Sequence, residues 1–274
     1  MNWRGLVAIN QGNWKLEFQY ALEQNSLKSM IQVLDSQATK HAGTAPAKIK
    51  YAAAKALQKL DLDELYPLVL AMCRHESPTA QEVGCLCIPE FYPQNEHEVT
   101  ETLYSLADSQ NWEVREWAAG SSGEILMNNF ETYFPVMVNW TQDDSENVRR
   151  AAVLAMMGAG GRQNCNEVVF MLECLGPLLS DPSRYVRDNL GPFAIGAGLL
   201  KSCPSEVLQW LRKWSESENE QVRWNVAMAF TTAAAANVST EAASILALFS
   251  GDERLYVKRA VAKAQKNLEN RRKP

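Results

Sequence analysis

One short phrase, a valine followed by a basic residue just inside a helix-forming stretch, recurs five times along this chain. It reads Asn111-Trp-Glu-Val114-Arg115-Glu116, Glu146-Asn-Val148-Arg149-Arg150, Ser183-Arg-Tyr-Val186-Arg187-Asp188, Glu220-Gln-Val222-Arg223-Trp224 and Arg254-Leu-Tyr-Val257-Lys258-Arg259. The valines stand 34, 38, 36 and 35 residues apart. A period of this length marks stacked helical pairs, because one pair cannot bury its apolar face alone and needs a neighbour on each side. The expected fold is therefore all-α, a right-handed superhelical solenoid of antiparallel helix pairs, with roughly 14 helices if each period holds two.

The residues before each valine support helix starts. Ser109, Asp143, Asp181, Ser217 and Asp252 each stand five positions earlier and are predicted to cap the helix by accepting a free backbone N–H. Asp143 with Glu146 and Ser217 with Glu220 have capping-box spacing, and Pro182 follows Asp181 where a missing N–H is harmless. Thr44 before Ile49-Lys50, and the Pro78 stretch before Ala80-Gln81, read as degenerate earlier repeats. A single repeat domain over 1–274 is expected, degenerate in 1–108 and clear in 109–270. No linker divides it, and the longest break, Gly158 to Asn164, reads as an inter-helical loop.

Other classes are excluded by what the sequence lacks. No run of 18 or more apolar residues predicts a membrane span, and Met1-Asn-Trp-Arg-Gly5 does not read as a secretory signal. The six cysteines, at 73, 85, 87, 165, 174 and 203, form no CxxC pair and are expected to be buried reduced thiols in a cytoplasmic protein. Cys73, His75, Cys85 and Cys87 lack the spacing of a metal knuckle, no phosphate-binding glycine loop is present, and no histidine lies by a nucleophile motif. No metal and no cofactor are expected.

Charge is unevenly distributed. Residues 254–273 hold eight Lys or Arg against Glu269 alone, leaving 19 basic and 31 acidic side chains in residues 1–253, a net −12 against −5 for the whole chain. A nucleic-acid ligand would require the cations gathered on one face, because phosphate neutralisation supplies most non-specific affinity.

The Val-Arg column resembles the HEAT repeat, in which a cap carboxylate of one repeat and a basic residue of its neighbour form a structural ladder. On that reading Arg115, Arg149, Arg187, Arg223 and Lys258 hold the scaffold together. Two residues after each valine, on the side turned away from the core at about 100° per residue, stand Glu116, Arg150, Asp188, Trp224 and Arg259. This row is either a ligand-facing lining or a solvated charged face. Five after each valine come Ala119, Val153, Gly191, Ala227 and Ala262, small enough to admit a ligand or a neighbouring helix.

Beyond repeat grammar, four segments resemble the DNA alkylation repair family of HEAT-like proteins, the AlkD/AlkC-like DNA glycosylases. They are Gln110–Ala118, Val138-Asn-Trp140 through Val153, Asp181–Gly191, and Pro204–Trp214 with Gln221–Trp224, within roughly residues 60 to 235. The resemblance implies a catalytic carboxylate four residues after a tryptophan, which here are Glu116 and Trp112. It also implies an arginine in the next repeat, Arg149 or Arg150, with Arg187, Trp224 and Arg259 as further DNA or lesion contacts. Where one branch has an aromatic after the glycine, this chain has Gly191-Pro192-Phe193, so that aromatic is absent or displaced by one. Excision of cationic N3- or N7-alkylated purines from duplex DNA follows from the resemblance. The alternatives are a DNA-binding relative without excision, or a scaffold binding a protein or peptide.

Overall fold

In the computed structural model, residues 13–161 and 164–272 are described, with the Arg272 side chain left aside. The readings of Met1 to Gly5, of Arg162 and Gln163 and of Lys273 fall outside them. The described residues are helical throughout and include no strand, as the period requires. They divide into two compact units, the first ending at Ser121 and the second beginning at Ser122.

The first unit carries α1 (Trp14–Glu23), α2 (Leu27–Asp35), α3 (Ala47–Leu57), α4 (Leu62–Cys73), α5 (Pro78–Cys87), α6 (Glu96–Ala107) and the start of α7 (Trp112–Asn128). The second carries the rest of α7, α8 (Phe130–Trp140), α9 (Glu146–Ala159), α10 (Cys165–Leu175), α11 (Arg184–Arg187), α12 (Leu200–Ser202), α13 (Pro204–Ser215), α14 (Glu220–Ala229), α15 (Ser239–Ala247) and α16 (Leu255–Arg272). Between α11 and α12 the rod continues as a π-helix, Leu190–Leu199, in which the Ala194 N–H reaches the Asn189 carbonyl.

The repeated valines are the fixed points of the core. Val114, Val148, Val186 and Val257 are fully buried and Val222 nearly so, each burial contributing about 1.5–3 kcal/mol. Four of the five small residues that follow are buried too: Ala119, Val153, Gly191 and Ala227 face neighbouring helices, and only Ala262 is exposed. At Gly191 an added Cβ would lie 2.3 Å from the Asn225 carbonyl oxygen, and the Gly191 N–H donates to Asn225 Oδ1 at 2.8 Å. At Gly191 the residue is small because two backbones meet there.

The helix starts correct the sequence reading by two residues. Ser109, Asp143, Asp181, Ser217 and Asp252 do accept backbone N–H groups, but from Asn111, Ser145, Ser183, Asn219 and Arg254, before the helix proper. The caps stand two positions further on. Ser145 accepts from Asn147, Ser183 from Tyr185, and Asn219 from Gln221 and Val222, while Asn111 accepts from Glu113. Each of these four helices is entered through two successive side-chain-to-backbone turns, a habit of Asp, Asn and Ser that spacing alone cannot separate from a cap. Glu146 and Glu220 thus open their helices and close no capping box, and Pro182 precedes its cap. A complete capping box does form at Asn164 and Glu167.

Cysteine usage also differs from the expectation. Cys165, at the start of α10, is disulfide-bonded to Cys203, just before α13, with their Cα atoms 5.5 Å apart. Cys73, Cys85, Cys87 and Cys174 are free, the first three buried. Burial pushes the Cys73 thiol up to about 12, so it is inert. Among the described residues no helix is long and apolar enough to cross a membrane.

Candidate functional site

Within the first unit, the candidate site is built on the opening of α7. Trp112 is its first residue and Glu116 lies one turn on, so the two share a helix face. Trp112 is 43% exposed, and its ring meets that of His41 edge-on at 5.1 Å between centroids. Glu116 is half-buried. His41 is carried by a loop whose next two residues, Ala42 and Gly43, both have positive φ, 54° and 72°. That turn brings the Ala42 carbonyl to the Asn111 side chain, which donates to it at 3.0 Å.

Beneath this face lies a charged cluster that the repeat pattern did not reveal. The fully buried Lys50 ammonium, from α3, is 2.7 Å from Glu82 of α5 and 2.9 Å from Glu113 of α7. Thr44 donates to Glu113 at 2.5 Å. Lys50 also sits 4.9 Å from the Trp117 ring centroid, and Trp117 meets Tyr51 edge-on at 5.5 Å. Trp117 is half-buried over this cation. Burial pushes the Glu82 carboxyl up to about 7, against the pull of Lys50. At Glu113 burial acts in the same upward direction but is outweighed by hydrogen bonds from Thr44 and Lys50, which hold its pKa below the ordinary value. Three helices are thereby pinned together at the first turn of α7.

Two signals could have located this cluster. Lys50 occupies the basic step of a degenerate repeat, after Ile49, and Glu113 is the sole acid in the position before the valine, where Asn147, Tyr185, Gln221 and Tyr256 stand elsewhere.

The remaining predicted residues lie in the second unit. Arg149 of α9 makes the ladder contact: its Nε and Nη2 donate to the two Asp181 oxygens at 2.8 and 3.0 Å, and Nη1 donates to the Asp143 and Asp144 carbonyls at 2.7 and 2.9 Å. Arg187 closes on its own entry turn through the Asp181 and Pro182 carbonyls. Arg223 pairs with Asp252 at 3.0 Å, the same ladder contact two repeats on. Arg254 also grips Asp252, and these hydrogen bonds hold the Asp252 carboxyl well below the usual carboxylate range.

Next to the ladder runs a second, aromatic one. Arg150 lies over the Tyr185 ring at 4.4 Å, and Trp224 stacks parallel to Tyr256 at 5.1 Å. In each case the outward row of one repeat meets the residue before the valine of the next. Asp188 is held by Arg184 at 3.1 Å, and Arg259 is exposed on α16. Phe193, one residue beyond the expected aromatic position, is 52% exposed on the π-helix. A π-turn accommodates one extra residue and is often found at functional sites.

Two cavities lie apart from these residues. One of about 490 Å³ is lined by Cys73, Arg74, Gln81, Glu101 and Thr102, and one of about 460 Å³ by Phe134, Val138, Phe170, Cys174 and Pro177. Neither is lined by a predicted site residue. The Glu206 carboxylate lies within 4.8 Å of the Cys165 and Cys203 sulfurs, but these are joined to each other and offer no thiolate to a metal.

These elements define a helical-repeat protein of the HEAT and armadillo kind. The karyopherin Kap121p, solved bound to the extreme C-terminus of the phosphatase Cdc14p, is similar to it with a TM-score of 0.51 at 10% identity, over 95% of this chain and 36% of that one. The Escherichia coli protein YibA aligns at 18% identity and TM-score 0.45 over 92% and 96% of the two chains. A designed armadillo repeat protein in complex with the peptide (KR)4 aligns at 15% identity and TM-score 0.37 over 92% and 97%. No curated protein matches the sequence. Residues 15–193 match the DNA alkylation repair enzyme family, and the chain belongs to that family.

Proposed function

We propose that this protein binds alkylated duplex DNA and releases cationic N3- or N7-alkylated purines from it. The observation that carries this reading is the placement of Trp112 and Glu116 one turn apart on α7, over a first turn pinned by Glu113, Lys50 and Glu82. A carboxylate aids the reaction only if it stays put while charge develops, and preorganisation of this kind is commonly the largest catalytic contribution.

The chemistry asks little of an acid. An N3- or N7-alkylated purine already carries positive charge, so when its bond to C1′ breaks the electron pair goes to the base, which leaves neutral. The deoxyribose is left with positive charge at C1′ and O4′. Glu116 stabilises that charge, water adds at C1′, and its proton passes to solvent. Trp112 offers its ring face to the cationic base or sugar edge, worth about 0.5–2 kcal/mol depending on how far water is excluded. Arg150, Trp224 and Arg259 contribute DNA contacts from the second unit, with Phe193 in the displaced aromatic position. Arg149 and Arg187 serve mainly as scaffold, given their ladder bonds. A single repeat array over 1–274 forms part of this proposal.

Free base release from N3- and N7-methylated duplex, followed for the native chain, Glu116→Gln and Trp112→Ala, tests it. Release that is lost in Glu116→Gln and weakened in Trp112→Ala supports the reading; equal release by all three removes both residues from it. The departure at Pro192-Phe193 favours a second reading, a relative that binds the duplex without excising, for which binding would occur with no release by any form.

A further inference from the structure

The strongest concentration of positive charge lies on α16, beyond the residues that match the family. Here some cations are tied to neighbouring groups and others stand in solvent. Arg254 is held by Asp252 and the Glu218 carbonyl, and Arg271 by the Thr231 and Thr232 carbonyls. Arg259, Lys263 and Lys266 are exposed, and none forms an ion pair with a described residue. The opposite side of the helix is the packed one, where Val257, Ala260, Ala264 and Leu268 are buried.

At about 100° per residue, Arg259, Lys263 and Lys266 fall within a sector of roughly 60° on the solvent side of the helix, its centre about 45° from the direction opposite the buried face. They span about 10 Å along the axis at about 1.5 Å per residue. Arg259 and Lys263 are four apart, a like-charge spacing that destabilises a helix left to itself. A row of unpaired cations at that spacing suits a ligand with regularly repeated negative charge. Along one strand of a duplex the charges recur about every 3.4 Å of axis, so about 10 Å covers three successive phosphates.

We propose that the Arg259, Lys263 and Lys266 face of α16 is a duplex-DNA backbone contact, which positions the DNA without reading sequence. The inference rests on the reading of duplex DNA as the ligand and adds to it a contact element outside the family's matched region. Charge complementarity selects the occupant. With residues 1–253 at net −12, α16 is where a polyanion meets least repulsion, and the apolar side that a membrane surface would require is already packed inside the unit.

The test compares the chain with its Arg259→Gln, Lys263→Gln, Lys266→Gln triple variant. The side chains are exposed, so unchanged thermal melting verifies the fold. Duplex binding is titrated between 50 and 200 mM KCl by fluorescence anisotropy, beside single-turnover base release at saturating protein and sedimentation with anionic phospholipid vesicles. Each phosphate contact contributes about 0.9 to the slope of log K against log salt, so the triple variant is expected to lose about 2.7 from that slope. A slope equal to the native one overturns the inference and leaves excision standing. A reduced slope with no base release by either form upholds the contact and removes excision. Absence of duplex binding by the native chain, or vesicle binding that alone depends on the three residues, overturns it.

Discussion

Asp181 receives both the Nε and the Nη2 of Arg149, from the preceding repeat, at 2.8 and 3.0 Å while also accepting the Ser183 N–H at 2.8 Å. One carboxylate thus joins two repeats and shapes the entry to a helix. Both partners are shielded from solvent, at 13% and 3% side-chain exposure. Asp181→Ala should lower unfolding free energy by about 3 kcal/mol, since the guanidinium is then left desolvated without its acid. Urea denaturation measures this, and a loss below about 0.5 kcal/mol would show the ladder to be ornamental.

Lys50 presents the sharper case, being a fully buried ammonium between two carboxylates. Lys50→Met removes the ammonium that bridges Glu82 and Glu113 and leaves the two carboxyls without it. A loss of about 3–5 kcal/mol is expected, and adding Glu82→Gln to that variant should return part of it, because a neutral amide no longer opposes Glu113. Thermal melts of the single and double variants check the coupling; strictly additive losses would contradict it.

The same cluster sets a pH dependence. Glu82 titrates at about 7 in the folded chain, raised from 4.5, so between these values the native state binds more protons than the unfolded one and stability falls as pH rises. Glu113, held low, acts in the opposite sense, its contribution being lost as pH drops below the ordinary carboxylate range. Glu82→Gln should therefore be least favourable relative to the native chain at pH 5 and gain on it by pH 7. Denaturation of both proteins at the two pH values supplies the comparison, and a difference that does not change with pH would rule out this assignment.

Gly191 lies where the π-helix crosses α14, and a Cβ there would lie 2.3 Å from the Asn225 carbonyl oxygen and 2.8 Å from its Cα. Backbone cannot yield as a side chain does. Gly191→Ala should destabilise by at least about 1–3 kcal/mol, as overpacking does in a close-packed core. Gly158→Ala, where an added Cβ meets nothing, is the control and should melt with the native chain.

The fold was legible because its signal is repetition. Val114, Val148, Val186, Val222 and Val257 mark buried positions irrespective of what surrounds them, and the bond from Arg149 to Asp181 is the ladder that the HEAT-repeat resemblance implied. The helix starts were misplaced because Asp and Ser serve equally well two residues before a cap. The Lys50, Glu82 and Glu113 cluster was missed for a different reason. Its members come from three helices, and although Lys50 on the basic step and Glu113 before its valine each stand out, neither signal says that they meet each other at Glu82. The Cys165 to Cys203 bond escaped likewise, since 38 residues separate partners that only folding brings together.

The account turns on Glu116, and single-turnover release of N3-methyladenine from methylated duplex by the native chain and Glu116→Gln tests it most directly. If this carboxylate stabilises the developing sugar cation, the rate falls by about 10²–10³ while duplex affinity is retained, as when one preorganised electrostatic group is removed. Equal rates for the two proteins, with release well above that of the DNA alone, would contradict it.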